Sequence, residues 1–214
     1  MKTVTETFNI YKYSELSERA KEKVHQWWIE SQEPEFFTDM VLEDLCERYN
    51  LEDLNVRYSL GYCQGDGLCL VGRININNFI DNCMKNKSSY SNEELSILRY
   101  LSNAGLDITL EQSDSFYSHK YTVDFDYSDY INYYLYDYDE ETETYCETIN
   151  GVRYTESDIN DVLDAFIDDV KEFIYDLCDT YEKWGYSYFY DITEDVIETL
   201  ESEYEFYESG ELYA

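Results

Sequence analysis

Three patterns predict an α+β fold, an antiparallel sheet with helices packed on it, in which the C-terminal half is highly acidic. Val56, Tyr58, Leu60 and Tyr62 alternate up to Gln64-Gly65-Asp66-Gly67, and an apolar run from Leu68 to Ile76 returns, the signature of a β-hairpin. Ile159, Val162, Leu163, Phe166, Val170, Phe173, Ile174, Leu177, Tyr181 and Trp184 recur at steps of one, three or four, which builds one apolar face on a long helix. Residues 111–214 hold 30 acids against 4 bases, whereas residues 1–110 hold 18 against 11.

In chain order, a β-like start (Thr3 to Tyr13) precedes Leu16-Ser17, a hydrophobic staple and N-cap. Leu16, Ala20, Val24, Trp27 and Trp28 then mark a helix that Pro34 is expected to end, because a proline disfavours helical backbone before it. A second helix over about 38–50 would bury Val41, Leu42, Leu45 and Tyr49. After the hairpin, helices are expected within 77–104, with Leu95, Leu98 and Leu101 inward. Ile108-Leu110 and the alternation Tyr117, Tyr121, Val123, Phe125 read as strands. The Tyr/Asp/Glu-rich stretch Asp124–Glu147 favours twisted strands, and Asn150-Gly151 is a two-residue hairpin turn returning through Val152-Tyr154. Thr155 caps the long helix and Gly185 is expected to terminate it. A last helix covers about 193–203, before an acidic tail. No repeat and no Pro/Gly/Ser linker interrupts the chain. Residues 1–110 form a less acidic α+β part with the QGDG hairpin, and 111–214 a highly acidic, Tyr-rich part packed with it as one unit.

Charge bounds the function. The 214 residues carry a formal net charge of −33, yet aromatics reach 18% and proline occurs once, so the chain has the apolar content to fold. Self-repulsion on this scale opposes compaction, and a strongly positive partner would relieve it. Direct binding to nucleic acid or to an anionic membrane is disfavoured for the same reason. No cationic start followed by an apolar stretch marks a signal peptide, and no apolar run of about 18 residues is present to span a membrane. The expected location is therefore the cytoplasm. The six cysteines are then expected to be reduced core residues, although Cys63 and Cys69 could face one another across the hairpin.

Two acidic constellations are candidates for a partner-binding face. Asp161, Asp164, Asp168, Glu172, Asp176 and Asp179 fall at i+3 or i+4 steps, one ridge of the long helix that repeats about every 5 Å. Like charges at that spacing oppose the helix by a few tenths of a kcal/mol per pair, so a merely solvated face has no need of them. Asp137, Asp139, Glu140, Glu141 and Glu143 make a second run ahead of the Asn150-Gly151 turn. A calcium loop is not expected there. From Asp137 the required glycine is Thr142 and the twelfth position is Thr148, and from Asp124 the twelfth position is Leu135. No metal, other cofactor or catalytic residue is assigned. Only His25 and His119 are available, and Gln64-Gly65-Asp66-Gly67 lacks the lysine of a phosphate loop.

Several short matches resemble a family of small acidic proteins of bacteriophages and other mobile elements. They are Glu15-Leu16-Ser17 followed by Ala20-Lys21-Glu22-Lys23, the pair Trp27-Trp28, the QGDG hairpin, His119, and the end Glu203-Tyr204-Glu205-Phe206. They are spread over most of the chain, and the hairpin is the most specific. The resemblance implies a phage setting, in which some acidic proteins are DNA mimics that disarm host defences, anti-CRISPR and anti-restriction proteins among them. The Tyr/Asp-rich centre departs from the family's ordinary charge. The expectation is an anti-defence inhibitor that occupies the basic DNA-binding groove of a CRISPR RNA-guided nuclease, at the region that reads the motif beside the target. The alternatives are a small phage enzyme using His119 with a hairpin residue such as Asp66, and an acidic adaptor that shields a basic protein.

Overall fold

The computed structural model describes residues 7–84, 89–113, 116–127, 137–140 and 144–213. It is mixed α+β, with antiparallel sheets and helices packed on them. Packing divides the chain into two compact units, residues 1–34 with 184–214, and residues 35–183. The charge boundary at residue 110 lies inside the second of these.

The larger unit is built on a four-stranded sheet in the order β2 (Leu54–Ser59), β3 (Gly67–Asn75), β4 (Asp107–Gln112), β5 (Val123–Asp126), every pairing antiparallel. Leu68, Leu70, Ile74, Ile108 and Leu110 are fully buried. Around it lie α2 (Pro34–Tyr49), α3 (Ile76–Asn82), α4 (Asn92–Asn103) and α5 (Glu156–Tyr190). The side chains of Asn75 and Ser91 cap α3 and α4, accepting from the amides of Asn78 and Glu94. On α5 the residues Ile159, Leu163, Phe166, Val170, Phe173, Ile174, Leu177 and Tyr181 of the predicted face are buried, whereas Val162 and Trp184 are half-buried. Phe79 meets Phe166 and Phe173 edge-on at 5.5 and 5.3 Å, and the Tyr181 hydroxyl donates to Asp44 at 2.8 Å. A three-stranded sheet, β6 (Asp137–Asp139), β7 (Thr144–Ile149) and β8 (Val152–Thr155), is closed by Asn150 at φ 51° and Gly151 at φ 83°, both positive as an Asn-Gly hairpin turn requires. Thr155 caps α5, with its hydroxyl accepting from the Asp158 amide at 3.2 Å.

The smaller unit joins a short ribbon of β1 (Ile10–Tyr11) and β9 (Phe206–Tyr207) to α1 (Glu18–Ser31) and α6 (Glu194–Glu203). Ser17 caps α1 by accepting from the Ala20 amide, and Thr193 caps α6. Tyr13, Leu16, Ala20, Val24, Leu200 and Phe206 form its core, with Trp27 and Trp28 packed against it.

Four expectations are corrected. The first helix ends ahead of Pro34 as expected, at Ser31, but the second begins at Pro34 rather than near 38, because the missing N–H of a proline costs nothing at the first helical position. Gly185 does not end α5, which continues to Tyr190 with Gly185 buried inside it. Tyr117 and Tyr121 are not in a strand. His119 and Lys120–Thr122 form a short 3-10 turn, and only Val123–Asp126 is β. All six cysteines are free thiols, but Cys46 and Cys63 are exposed rather than core residues, while Cys69 is buried on β3 opposite Arg57. The expected strands over 128–136, and the start over 3–6, lie outside the described residues.

Candidate interaction surface

The geometry of α5 follows from its sequence. A buried apolar stripe fixes the rotation of the helix, and the residues opposite it must face solvent. Asp161, Asp164, Asp168, Glu172 and Asp176 are all exposed, so the structure places five of the six ridge residues along one open line. Over the 15 residues from Asp161 to Asp176 that line runs about 22 Å. Asp179 is the exception. The Lys120 ammonium reaches both of its oxygens at 2.6 and 2.5 Å, and the lysine side chain is only 15% exposed. Lys120 is desolvated there, but the hydrogen bond and charge of Asp179 outweigh this and raise its pKa. Along the ridge, Asp168 lies 3.5 Å from Lys171, and Asp164 accepts from the Tyr127 hydroxyl. That bond, then burial, then the surrounding carboxylates push the Tyr127 phenol up to about 12. Beside the ridge Asp169 accepts from Tyr90 at 2.8 Å, and burial first and Asp169 second raise the Tyr90 pKa. Tyrosine hydroxyls thus hold carboxylates of α5 in place, a role that composition alone does not reveal.

Of the second acidic run, the side chains of Asp139 and Glu140 are described. Asp139 is largely buried and pairs with Arg153 at 2.5 Å, and Glu140 is an exposed turn residue. Asp137 belongs to β6, with its side chain outside the described residues, as are Glu141 and Glu143 altogether. Among the described residues no group of three or more His, Cys, Asp or Glu side chains is arranged to hold a metal, and no helix is long and apolar enough to cross a membrane.

The QGDG loop is built around Asp66. Its Oδ2 accepts from the amides of Gly61 at 2.8 Å and Cys63 at 2.9 Å, clamping the backbone on both sides of Tyr62. Tyr62 is held at φ 54°, unusual for a bulky side chain, and is 70% exposed. The Cys63 thiol lies 3.0 Å from Asp66 Oδ1, and that hydrogen bond first, then burial and the charge, raise its pKa. A thiol nucleophile needs the opposite shift, so this cysteine sits in the wrong field for one. His119 is a structural cap. Its Nδ1 accepts from the Tyr121 amide at 3.2 Å, and its ring tilts over Tyr121 at 5.0 Å. Gly65 and Gly67 are required by close approach, since a Cβ at Gly65 would lie 2.2 Å from the Tyr117 ring and one at Gly67 2.8 Å from the His119 ring. The loop and the 117–122 segment therefore interlock, a long-range fit that the local sequence signals only through the two glycines.

Comparisons with protein-family models, with curated proteins and with solved structures find no match.

Proposed function

We propose that this chain is a non-catalytic inhibitor whose acidic surface imitates nucleic acid and occupies the basic DNA-binding groove of a bacterial defence nuclease, a CRISPR RNA-guided effector foremost. The observation that carries the reading is the helix α5, 35 residues long, which holds Asp161, Asp164, Asp168, Glu172 and Asp176 exposed in one line. A continuous helix fixes its carboxylates relative to one another, whereas an unstructured acidic tail does not. The apolar stripe behind them, from Ile159 to Tyr181, is buried against the larger unit's core, so the ridge is preorganised before any partner arrives. Like-charge repulsion along the ridge weakens the helix in isolation and is relieved by a lysine- and arginine-lined groove. Association would be fast and steered by charge, with affinity falling as salt rises.

The test is equilibrium binding of labelled target duplex to purified RNA-guided effectors and restriction nucleases, with and without this chain. The proposal expects loss of DNA binding for at least one of them, competitive with duplex and weaker at higher salt. Binding of the chain that leaves DNA affinity unchanged would instead support a shield for a basic protein. No effect across the panel would refute the proposal.

A further inference from the structure

The QGDG loop leaves a second surface that the acidic ridge does not account for. Tyr62, Tyr117 and Tyr121 are 70%, 54% and 69% exposed, and all three belong to the interlocked loop and 117–122 segment. Large aromatics exposed together mark an interaction surface more often than lone ones do. Here the exposure is also structurally enforced. Asp66 clamps Gly61 and Cys63 so that Tyr62 stays in a left-handed conformation that a tyrosine disfavours, and Gly65 gives up its side chain to seat Tyr117. The platform adjoins α5 directly, because Tyr121 packs on Tyr175 at 5.2 Å, and Tyr175 stands between Glu172 and Asp179 on successive turns.

The charge of the molecule selects the occupant. A second copy, a nucleic acid and an anionic membrane would all meet a chain of net −33, and each is repelled. Of the three rings, Tyr121 already receives a cation, and so do the neighbouring rings of Tyr175 and Phe125. The Lys120 ammonium lies 5.2 Å from the Tyr121 centroid and 5.8 Å from that of Tyr175, and the Lys171 ammonium 6.0 Å from that of Phe125. We infer that Tyr62, Tyr117 and Tyr121 form an aromatic platform that docks arginine side chains of a basic protein partner, next to the ridge that engages the same partner by charge. Guanidinium stacks flat on such rings and sheds its hydration more readily than ammonium, so the platform favours arginine over lysine. The inference rests on the proposal that the ridge binds a basic protein groove, and adds to it the desolvated anchors that a purely ionic contact lacks.

The experiment titrates the full chain with fluorescent oligo-arginine and oligo-lysine peptides of equal length at several salt concentrations. The platform predicts tighter binding of oligo-arginine. Tyr62→Ser with Tyr121→Ser should weaken oligo-arginine binding by about tenfold, two exposed cation–π contacts, without altering the salt dependence. Tyr62→Phe should retain binding, and Tyr213→Ser, an exposed tyrosine of the other unit, should leave it unchanged. Asp164→Asn with Glu172→Gln should instead flatten the salt dependence and preserve the arginine preference. Equal binding of the two peptides, with no effect of the tyrosine substitutions, overturns the platform and leaves the ridge proposal standing. Absence of salt-sensitive binding to either peptide overturns both. A concentration-dependent dimer that Tyr62→Ser dissociates would make a second copy the occupant and also overturn the inference.

Discussion

Gly65→Ala and Gly151→Ala together measure how tightly the QGDG loop is locked onto the 117–122 segment. Both glycines have positive φ, +98° and +83°, so both alanines incur the conformational penalty of a Cβ there, about 1–2 kcal/mol. Both also recover about 0.4–1 kcal/mol by restricting the unfolded chain. They differ in what surrounds them. Nothing lies within 4 Å of a Cβ at Gly151, whereas one at Gly65 would lie 2.2 Å from Cδ1 and Cε1 of Tyr117. The ring must swing away, and because it is 54% exposed it can do so by giving up its remaining contact. Half of a tyrosine's area, about 90 Å², is worth about 2 kcal/mol at 25 cal/mol per Å². Gly151→Ala should therefore cost about 1 kcal/mol and Gly65→Ala about 3 kcal/mol. In a chain of this size those are midpoint falls of about 2–4 °C and 6–12 °C in thermal unfolding followed by circular dichroism. Urea midpoints provide the same difference independently of heat capacity. Equal losses for the two variants, within about 0.5 kcal/mol, would refute the interlock and the platform built on it.

Three further outcomes follow from the charged groups. Glu172→Gln removes a like-charge neighbour of Asp168 and Asp176 on α5 and should raise stability by a few tenths of a kcal/mol per pair while weakening partner binding, a combination read by urea unfolding and by the peptide titration. Asp179 raises the pKa of Lys120, so this pair stabilises the fold at neutral pH and loses its contribution as pH rises through the raised value. Lys120→Gln should accordingly lower the midpoint at pH 7 and flatten the loss of stability seen above about pH 10. At α4, the backbone amide of Ser91 first and its hydroxyl second hold the Glu94 carboxyl below its ordinary range. Its contribution is full above that range and lost as pH falls through the depressed value. Glu94→Gln should lower stability at pH 7, and the loss should shrink below about pH 4, as measured by unfolding across pH.

What the sequence made legible was periodic. The buried stripe of α5 and the exposed carboxylates opposite it come from one helical repeat, and the Asn150-Gly151 turn from a dipeptide with few alternatives. What it hid depended on contacts distant in the chain. Gly185 has the look of a helix terminator, but it is buried within α5 and the helix continues past it. Pro34 marks the end of the first helix as its chemistry predicts, but the same rigidity also lets it begin the next, ahead of the expected start near residue 38. Alternation from Tyr117 to Phe125 mimicked a strand, yet the His119 side chain caps a 3-10 turn and sends Tyr121 outward. Along the predicted acidic face the same limit applies. Spacing identified which residues share a ridge, but not that Lys120 would pair with Asp179 or that Arg153 would claim Asp139.

The central claim is that an ordered acidic face, rather than net acidity, competes with DNA. The most direct measurement is displacement of labelled duplex from a target effector by the wild-type chain and by a variant with Asp161, Asp164, Asp168, Glu172 and Asp176 changed to Asn or Gln. As a control, the same number of charges is removed from the smaller unit at Glu194, Asp195, Glu198, Glu203 and Glu208, of which α6 carries the first four. The account predicts that neutralising the ridge abolishes displacement and flattens its dependence on salt, while the control variant of equal net charge still displaces duplex. Equal loss in both variants, or none in either, would contradict it.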